Sequence, residues 1–354
     1  MNTVHVPRLR MNGAKVGIAA LLAALATPAV VSGSAVQAMA NTKKLTTITF
    51  ALDYIANNAG YDGIYAAQKM GYFAQAGLKL KILPYANTNS DILVESGKAD
   101  YATFDEPDMI IDDAAGEPLV SVMTIMQHEA SRLAVRSSLH LTSPAQLSGR
   151  TFGAFGVPME AVFNDAAIKD GGGKATYKTV TLSTDVYDAL RSGQVDWAIP
   201  YATDDILWAQ LAGHPFTVFN PQHYGVPDDY GKLVLTTHQY AQAHPGTTRA
   251  LVAALQKGYA WAARHPVTAT KILASSGVGS MKMTDQEGTA KDLAQHYWLN
   301  SRGVVGPETA EMWQRFANFL TKYKVLKDKG GKVLTEPPST SSYWTNEYLP
   351  GTGS

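Results

Sequence analysis

The sequence predicts an α/β protein made of two similar lobes that are joined by a hinge of two chain crossings. In both halves of the 354-residue chain, short apolar strands alternate with short amphipathic helices, a pattern typical of largely parallel sheets. The succession of helix, Ser-Gly, strand, helix and Gly-x-Pro in 90–119 recurs in 184–216. We therefore expect one repeated unit in each lobe, followed by a helical C-terminal part.

The first half contains four strands that alternate with three helices. Its strands are apolar runs or have apolar residues at every second position, and its helices have apolar residues at helical spacing. A Gly after the second helix and a Pro in the first turn of the third are typical helix boundaries. The expected strands are 45–54, 78–85, 100–105 and 118–127, and the expected helices are 63–73, 91–99 and 106–116.

The second half repeats this alternation and then becomes helical. The expected elements are a short helix and a strand in 143–156, a helix in 157–173, a strand in 177–183, a helix in 185–194, a strand in 195–201, and helices in 247–263, 265–275, 284–299 and 307–324. With crossings near 131–138 and 231–238, lobe 1 would comprise 45–134 and 235–326, and lobe 2 would comprise 135–234. The Gly- and Pro-rich segment 327–354 is expected to be a mobile tail.

The first 40 residues have the pattern of a cleaved export signal. Three basic residues precede an apolar run at 16–31, and small residues at Ala38 and Ala40 give the pattern that a signal peptidase recognises. A membrane anchor is the alternative, but the run is shorter than the ~20 apolar residues of a spanning helix. We expect cleavage near Ala38 or Ala40 and a periplasmic protein without a lipidation cysteine.

The composition excludes several classes of function. The chain has no cysteine, so disulfides, zinc–thiolate sites, iron–sulfur clusters and cysteine nucleophiles are excluded. Removing the three basic residues of 1–40 leaves 27 basic residues against 30 acidic ones, a balance that does not indicate a nucleic-acid partner. The histidines lack metal-site spacing, and no nucleophile elbow or phosphate-binding loop occurs. We expect no metal, no cofactor and no enzymatic activity.

Aromatic and polar residues follow the first predicted strand. Ligands of open α/β sheets bind at the carboxyl ends of strands. Tyr54 and Tyr61 could sandwich a flat heterocycle there, although core packing is the alternative, and Tyr65 is equally compatible with a core position. Asp53 and Asn57 could bind ring nitrogens or an exocyclic amine, with helix capping as their alternative.

Two later strand ends of the first half add candidates. Glu106 follows the strand 100–105, where it could face a ligand or simply favour the dipole of the next helix. Gln127 ends a buried strand beside His128, and a structural histidine near the hinge is the alternative for the latter.

The second half contributes the remaining candidates. The turn at Phe155 and Gly156 could offer free helix N–H groups to a polar ligand edge. Tyr201 ends a strand of lobe 2. Tyr224 and Asp228 lie in a turn-rich segment that could instead be a hinge strut.

Three motifs carry a family resemblance. They are "GYDGIYAAQKMGYFAQAGL" (60–78), "SGKADYATFDEPDMII" (96–111) and "YGVPDDYGKLVL" (224–235). With them, the chain resembles the periplasmic substrate-binding proteins of ABC importers in the sulfonate-binding and thiamine-pyrimidine-precursor-binding, NMT1/THI5-like family. The resemblance implies a type II periplasmic-binding-protein fold, a monomer, a small-molecule ligand that Glu106 faces, and a transmembrane ABC permease as partner.

The resemblance also implies a ligand. The lead is a thiamine pyrimidine precursor, such as formylaminopyrimidine or hydroxymethylpyrimidine, captured between the lobes by hinge closure. Tyr61 stands where this branch has His, and Tyr54 where it has Trp. A riboflavin-like heteroaromatic or an alkylsulfonate is therefore the alternative ligand. A pyrimidine-synthase-like enzyme would need a cysteine-rich motif and the missing His, and a sensor lobe would share the same fold.

Overall fold

A computed structural model describes residues 44–86, 88–156, 158–182, 186–277 and 281–351, all within one compact unit, Lys43–Ser354. The predicted signal segment 1–40 lies outside the described residues. Among the helices that are described, none is both long and apolar enough to cross a membrane.

The strands form two five-stranded sheets, one in each lobe. Their orders are β2-β1-β3-β10-β4 in lobe 1 and β7-β6-β8-β5-β9 in lobe 2. The strands are β1 (Thr46–Ala51), β2 (Leu78–Leu83), β3 (Tyr101–Phe104), β4 (Leu119–Met126), β5 (Leu133–Val135), β6 (Thr151–Ala154), β7 (Lys178–Thr181), β8 (Trp197–Ala198), β9 (Thr217–Phe219) and β10 (Lys232–Thr237). The predicted α/β class with two lobes is confirmed.

Most helices lie close to their predicted positions, but the helix at 238–243 was not among the expected elements. They are α1 (Asp62–Lys69), α2 (Tyr72–Gln75), α3 (Ser90–Glu95), α4 (Glu106–Ala114), α5 (Pro158–Asp170), α6 (Val186–Ser192), α7 (Leu207–Leu211), α8 (His238–Ala243), α9 (Pro245–Arg264), α10 (Pro266–Ser275), α11 (Met283–His296) and α12 (Ala310–Lys322). Prolines open α9 and α10, where the missing N–H has no helical acceptor. Thr309 caps α12 by accepting from the Met312 N–H.

Each sheet contains one strand that runs against its neighbours, which the expected parallel pattern did not include. β1 pairs in parallel with β2 and β3, but β10 is antiparallel to both β3 and β4. In lobe 2, β5 is likewise antiparallel to β8 and β9. The reason is that β5 and β10 directly follow a crossing. The chain crosses at 127–132 and 220–231, a few residues before the predicted ranges.

Close helix packing fixes the loop that follows β1. A Cβ atom on Gly63 of α1 would lie 2.2 Å from the Tyr259 ring of α9, so only glycine permits this approach. The Tyr259 hydroxyl donates to the Gly60 carbonyl at 2.9 Å, and Gln286 accepts from the Ala59 N–H at 3.0 Å. The loop 53–61 is therefore anchored to α9 and α11.

The two lobes contact each other on both flanks of the space between them. On one flank, Phe163 of α5 packs edge-on against Phe316 of α12, with ring centroids 6.4 Å apart. On the other flank, Trp208 Nε1 donates to Thr289 Oγ1 at 3.0 Å, and the Thr289 hydroxyl donates to a lobe 2 carbonyl. The lobes are therefore joined by an aromatic contact and by two hydrogen bonds, in addition to the two chain crossings.

The expectation of a mobile C-terminal tail is wrong for residues 327–351. Tyr343, Tyr348 and Leu349 are buried, and a parallel bridge joins Trp344 to Ser121 of β4. The Ser121 N–H donates to the Tyr343 carbonyl at 2.8 Å. Gly and Pro in this segment mark turns between contacts, and the buried aromatic side chains hold it on lobe 1.

We expect Leu349→Ala to lower the free energy of unfolding by about 2–4 kcal/mol, because Leu349 is 5% exposed and packs on lobe 1. Urea unfolding followed by tryptophan fluorescence measures this. The matched control is Glu347→Ala, which removes an exposed ion pair with Arg249 and should cost less than about 1 kcal/mol. Equal, small effects of both substitutions would contradict a packed tail.

Candidate ligand-binding site

Three charged side chains converge at one edge of the lobe 1 sheet. Asp53 and Asp105 follow the carboxyl ends of the parallel strands β1 and β3, and Lys232 begins the antiparallel strand β10 at the same edge. The Lys232 ammonium forms an ion pair with Asp53 and lies 3.6 Å from Asp105 Oδ1. The side chains of Lys232 and Asp53 are each 12% exposed, so this edge holds a nearly buried ion pair.

Asp53 accepts hydrogen bonds from two side chains in addition to its ion pair with Lys232. Tyr61 Oη donates to Asp53 Oδ1 at 2.9 Å, and the Thr103 hydroxyl donates to the same oxygen. Burial opposes the ionisation of Asp53, but the charge of Lys232 and these hydrogen bonds outweigh it and hold its pKa below the ordinary value. Asp53 is therefore charged and already satisfied by its own lobe.

Tyr61 lies behind Asp53. It is 1% exposed, and its ring centroid is 5.8 Å from Lys232 Nζ. Burial and the Asp53 charge raise the pKa of Tyr61 well above the ordinary value, so it stays a neutral hydrogen-bond donor. Its role as a ligand contact stays a prediction, whereas its observed contacts position Asp53.

Asp105 of lobe 1 and Tyr201 of lobe 2 are partly exposed polar groups near the strand ends of the two sheets. The Asp105 side chain is 36% exposed, and Tyr201, from lobe 2, is 39% exposed. Withdrawal from water raises the pKa of Asp105 to about 7, against the pull of the Lys232 charge. The negative charge of Asp105, followed by burial, raises the pKa of Tyr201 well above the ordinary value.

Aromatic rings of both lobes border these groups. Tyr54 is 52% exposed, and its ring centroid is 5.5 Å from that of Tyr85. In lobe 2, Phe155 packs against Tyr187 with ring centroids 5.5 Å apart. Burial is the main cause that raises the pKa of Tyr187. The charges of Asp205 and Asp204 and the Tyr54 hydroxyl contribute to the same increase. Tyr54, Tyr85 and Phe155 each follow the carboxyl end of a strand, which is β1, β2 and β6 respectively.

The N–H groups at the Phe155–Gly156 turn are not free, contrary to the expectation. The Phe155 N–H donates to Glu160 Oε1 and the Gly156 N–H to Glu160 Oε2, both at 2.9 Å. Glu160 lies in the first turn of α5, so its carboxylate reaches back to the preceding residues. Phe155 can still present its ring as predicted.

Glu106 is fully buried beneath the crossing 220–231. Its Oε2 accepts from the Tyr230 N–H at 2.7 Å, and its Oε1 has no hydrogen-bond partner within the described ranges. Burial raises the pKa of Glu106 to about 8. Neighbouring Asp229 is also fully buried, and burial raises its pKa well above the ordinary value. The role of Glu106 as a ligand contact stays a prediction. Its observed hydrogen bond is with Tyr230 of the crossing 220–231.

Asp228 forms hydrogen bonds with residues of both chain crossings. It accepts from His128 Nδ1 at 2.6 Å, from the Glu129 N–H at 3.1 Å and from Gln222 Nε2 at 2.6 Å. The hydrogen bond from Asp228 is the main cause of the raised pKa of His128. These contacts match the alternative of a hinge strut. Gln127 is buried and donates to the Pro307 carbonyl at 3.3 Å.

The other sequence candidates are spread over both lobes. Tyr65 is 7% exposed and packs in the lobe 1 core, which follows from its place on the inner face of α1. Asn57 is half-buried on the loop after β1. Tyr224 is half-buried and packs edge-on against Phe219. Among the residues that the structure describes, no group of three or more His, Asp or Glu could hold a metal ion.

Three residues of this region, Lys232, Thr103 and Tyr187, were not among the candidates predicted from the sequence. A lone lysine at the start of the apolar strand "KLVLTT" (232–237) was a usable signal, because a cation at the end of a buried strand needs a carboxylate partner. Tyr187 lies in a helix whose pattern gave no indication of a cleft position.

Comparison with known proteins gives the family. The family model described as "NMT1/THI5 like" matches residues 58–269, more than half of the chain. The chain belongs to the NMT1/THI5-like family. The resemblance that the sequence motifs carried is thereby confirmed, and the matched range includes Tyr61, Asp105 and Lys232.

The relatives of this protein carry names that describe different functions. The formylaminopyrimidine-binding protein of Halalkalibacterium halodurans is 28% identical over 291 residues, which cover 80% of this chain and 87% of that protein. A 4-amino-5-hydroxymethyl-2-methylpyrimidine phosphate synthase of Legionella pneumophila is 24% identical over 329 residues, covering 89% and 96%. Binding proteins and a synthase therefore both occur among the relatives.

A solved structure supports the fold. The alkanesulfonate-binding protein of Xanthomonas axonopodis pv. citri, bound to MOPS, superposes with a TM-score of 0.62 at 17% identity, covering 85% of this chain and 99% of that one. This likeness, with the two lobes described above, confirms the periplasmic-binding-protein fold for this NMT1/THI5-like protein.

Replacing Lys232 by Met leaves the Asp53 carboxylate nearly buried without a cation, so we expect a loss of about 3–5 kcal/mol in the free energy of unfolding. The double variant Asp53→Asn/Lys232→Met should regain much of that loss. Urea unfolding measures both. Lys271→Met, which removes an exposed ion pair with Glu287, is the control and should cost less than about 1 kcal/mol. A Lys232 variant as mild as this control would refute the buried pair.

The free energy of unfolding should fall as pH rises from about 4.5 to about 8. The cause is the set of buried carboxyl groups that keep a proton in the folded protein, and Glu106 is one of them. The pKa of Glu106 is raised from 4.5 to about 8, so the folded protein keeps a proton that the unfolded chain releases. The resulting stabilisation is complete below the lower value and is lost through the upper one.

Glu106→Gln should flatten this pH profile. Because a change of one in pKa corresponds to about 1.4 kcal/mol, we expect at least about 1 kcal/mol less decrease across the range. Thermal unfolding at a series of pH values provides the measurement. The exposed Glu347→Gln is the control. An unchanged slope in Glu106→Gln would show that Glu106 ionises normally.

Proposed function

We propose that this chain is the solute-binding protein of an ABC importer and that it captures a neutral, flat, nitrogen-rich heterocycle between its lobes. The observation that carries this proposal is the pairing of two open polar groups, Asp105 and Tyr201, with exposed or partly exposed aromatic rings from both lobes. Aromatic faces stack on planar rings, and a few directional polar groups orient them.

A pyrimidine precursor of thiamine, such as formylaminopyrimidine or hydroxymethylpyrimidine, is the lead ligand. An aminopyrimidine presents an amine donor beside a ring-nitrogen acceptor. A carboxyl group whose pKa is about 7, as for Asp105, is available in its protonated form, in which its O–H donates to the ring nitrogen and its carbonyl accepts from the amine. The name of the Halalkalibacterium halodurans relative supports this choice.

Charge disfavours the sulfonate alternative. Lys232 is paired with Asp53, and Asp105 adds negative character. A sulfonate would favour unpaired cations and free N–H groups, and the Phe155–Gly156 turn has its N–H groups bound to Glu160. A riboflavin-like heteroaromatic, which also stacks, stays the second candidate.

Capture would proceed by hinge closure. A ligand that contacts Tyr54 and Asp105 of lobe 1 together with Tyr201 and Tyr187 of lobe 2 binds the closed state better than the open one, and so shifts the population. We place the protein in the periplasm, after removal of 1–40, as a monomer that presents its ligand to a permease. We propose no enzymatic activity, because the chain lacks cysteine and Tyr61 stands in place of the histidine expected of a synthase.

A thermal-shift panel of residues 41–354 with formylaminopyrimidine, hydroxymethylpyrimidine, thiamine, riboflavin, taurine and ethanesulfonate tests the proposal. A ligand at about 100 times its dissociation constant adds about 2.7 kcal/mol of stability. We expect shifts with the pyrimidines. Shifts only with riboflavin or a sulfonate would refute the pyrimidine assignment, and no shift with any compound would contradict the ligand class.

Asp105→Ala should weaken pyrimidine binding by about tenfold or more, because alanine supplies neither the O–H donor nor the carbonyl acceptor that the ring would use. Isothermal titration provides the dissociation constants. Asp188→Ala, at a 65% exposed surface position, is the control and should leave them unchanged. Equal affinity of the Asp105 variant and the native protein would remove Asp105 from the site.

A further inference from the structure

Glu160 holds the turn after β6 with both of its carboxylate oxygens. Each oxygen accepts one backbone N–H, from Phe155 and from Gly156, at 2.9 Å. Glu160 is 7% exposed, so the carboxylate is withdrawn from water. Gly156 has a φ of +95°, which favours glycine, and this conformation helps to turn the two consecutive N–H groups toward one acceptor.

The turn borders the candidate site. It lies at the carboxyl end of β6, the edge of the lobe 2 sheet where ligands of such folds bind. The Phe155 ring packs against Tyr187, and both the Tyr54 hydroxyl and Glu160 help to raise the pKa of Tyr187.

Two adjacent N–H groups at the start of a helix are also what the oxygens of a bound anion would use. In this chain a carboxylate of the protein occupies them. An incoming sulfonate or phosphate would have to displace a tethered acceptor and break both hydrogen bonds that the turn donates to a buried carboxylate, which is costly. A neutral ring meets neither obstacle.

We propose that Glu160 is a specificity-determining residue that excludes ligands carrying a sulfonate or phosphate group at the lobe 2 side of the cleft. This inference rests on the proposed binding function and deepens it. It separates a neutral pyrimidine, such as hydroxymethylpyrimidine, from its phosphate ester, which has the same ring and an added anion.

Isothermal titration of the native protein, Glu160→Gln and Glu160→Ala tests this inference. The probes are ethanesulfonate, inorganic phosphate, hydroxymethylpyrimidine and its phosphate ester. We expect the affinity of the variants for ethanesulfonate and for the ester to rise by about tenfold or more over the native protein, with Glu160→Ala the stronger. Glu311→Gln, in the exposed first turn of α12, removes the same charge elsewhere and should change neither affinity.

The outcomes separate the two proposals. Native protein that binds ethanesulfonate as tightly as the variants would overturn the role of Glu160. So would a folded Glu160→Gln variant, verified by its thermal unfolding, without a gain in anion affinity. If the native protein ignores the pyrimidine while the variants gain anion affinity, the ligand assignment fails and the role of Glu160 stands. Glu160→Gln keeps one acceptor oxygen, so it tests the idea even if Glu160→Ala does not fold.

Discussion

The structure depends on a lysine ammonium that is nearly buried at the edge of one sheet. A buried cation is tolerated only beside carboxylates, and Lys232 has Asp53 in contact and Asp105 at 3.6 Å. These partners lie at the ends of β1 and β3, whereas Lys232 belongs to a strand that returns from lobe 2. The carboxylates therefore obtain their cation only when the chain has returned from lobe 2 and β10 has paired with β3. The order of the strands thus determines the charge of the site.

Other polar groups near the site also have their hydrogen-bond partners within the protein. Asp53 is satisfied by Lys232, Thr103 and Tyr61, and the N–H groups of the Phe155–Gly156 turn are satisfied by Glu160. Among the described residues, Asp105 and Tyr201 keep partly exposed polar groups, and Tyr54 keeps an exposed aromatic face. A ligand is recognised by the groups that a protein leaves open, because those gain most from being paired. We infer from this remainder that the preferred ligand is flat and uncharged.

The hinge has a different character, because it is rich in carboxyl groups and poor in cations. Glu106 and Asp229 are fully buried where the crossing 220–231 passes over lobe 1, and each holds a proton more tightly than an exposed carboxyl group does. Asp228, above them, bonds to both crossings. The two crossings are thus joined by hydrogen bonds over a buried layer that is neutral at moderate pH. The contacts between the lobes at Phe163 and Trp208 lie outside these crossings.

The sequence by itself determined the alternation of strands and helices, the helix positions to within a few residues, and the strand ends at Asp53, Glu106 and Tyr201. These features depend on local periodicity, capping and turn residues, which act within a few positions of the chain. Only the tertiary structure decided that Lys232 pairs with Asp53, 179 residues away, and that Tyr61 lies behind Asp53. It also decided that the tail packs on lobe 1. Such contacts depend on which strands become neighbours, and side chains of the same type are equally compatible with surface and core until that order is fixed.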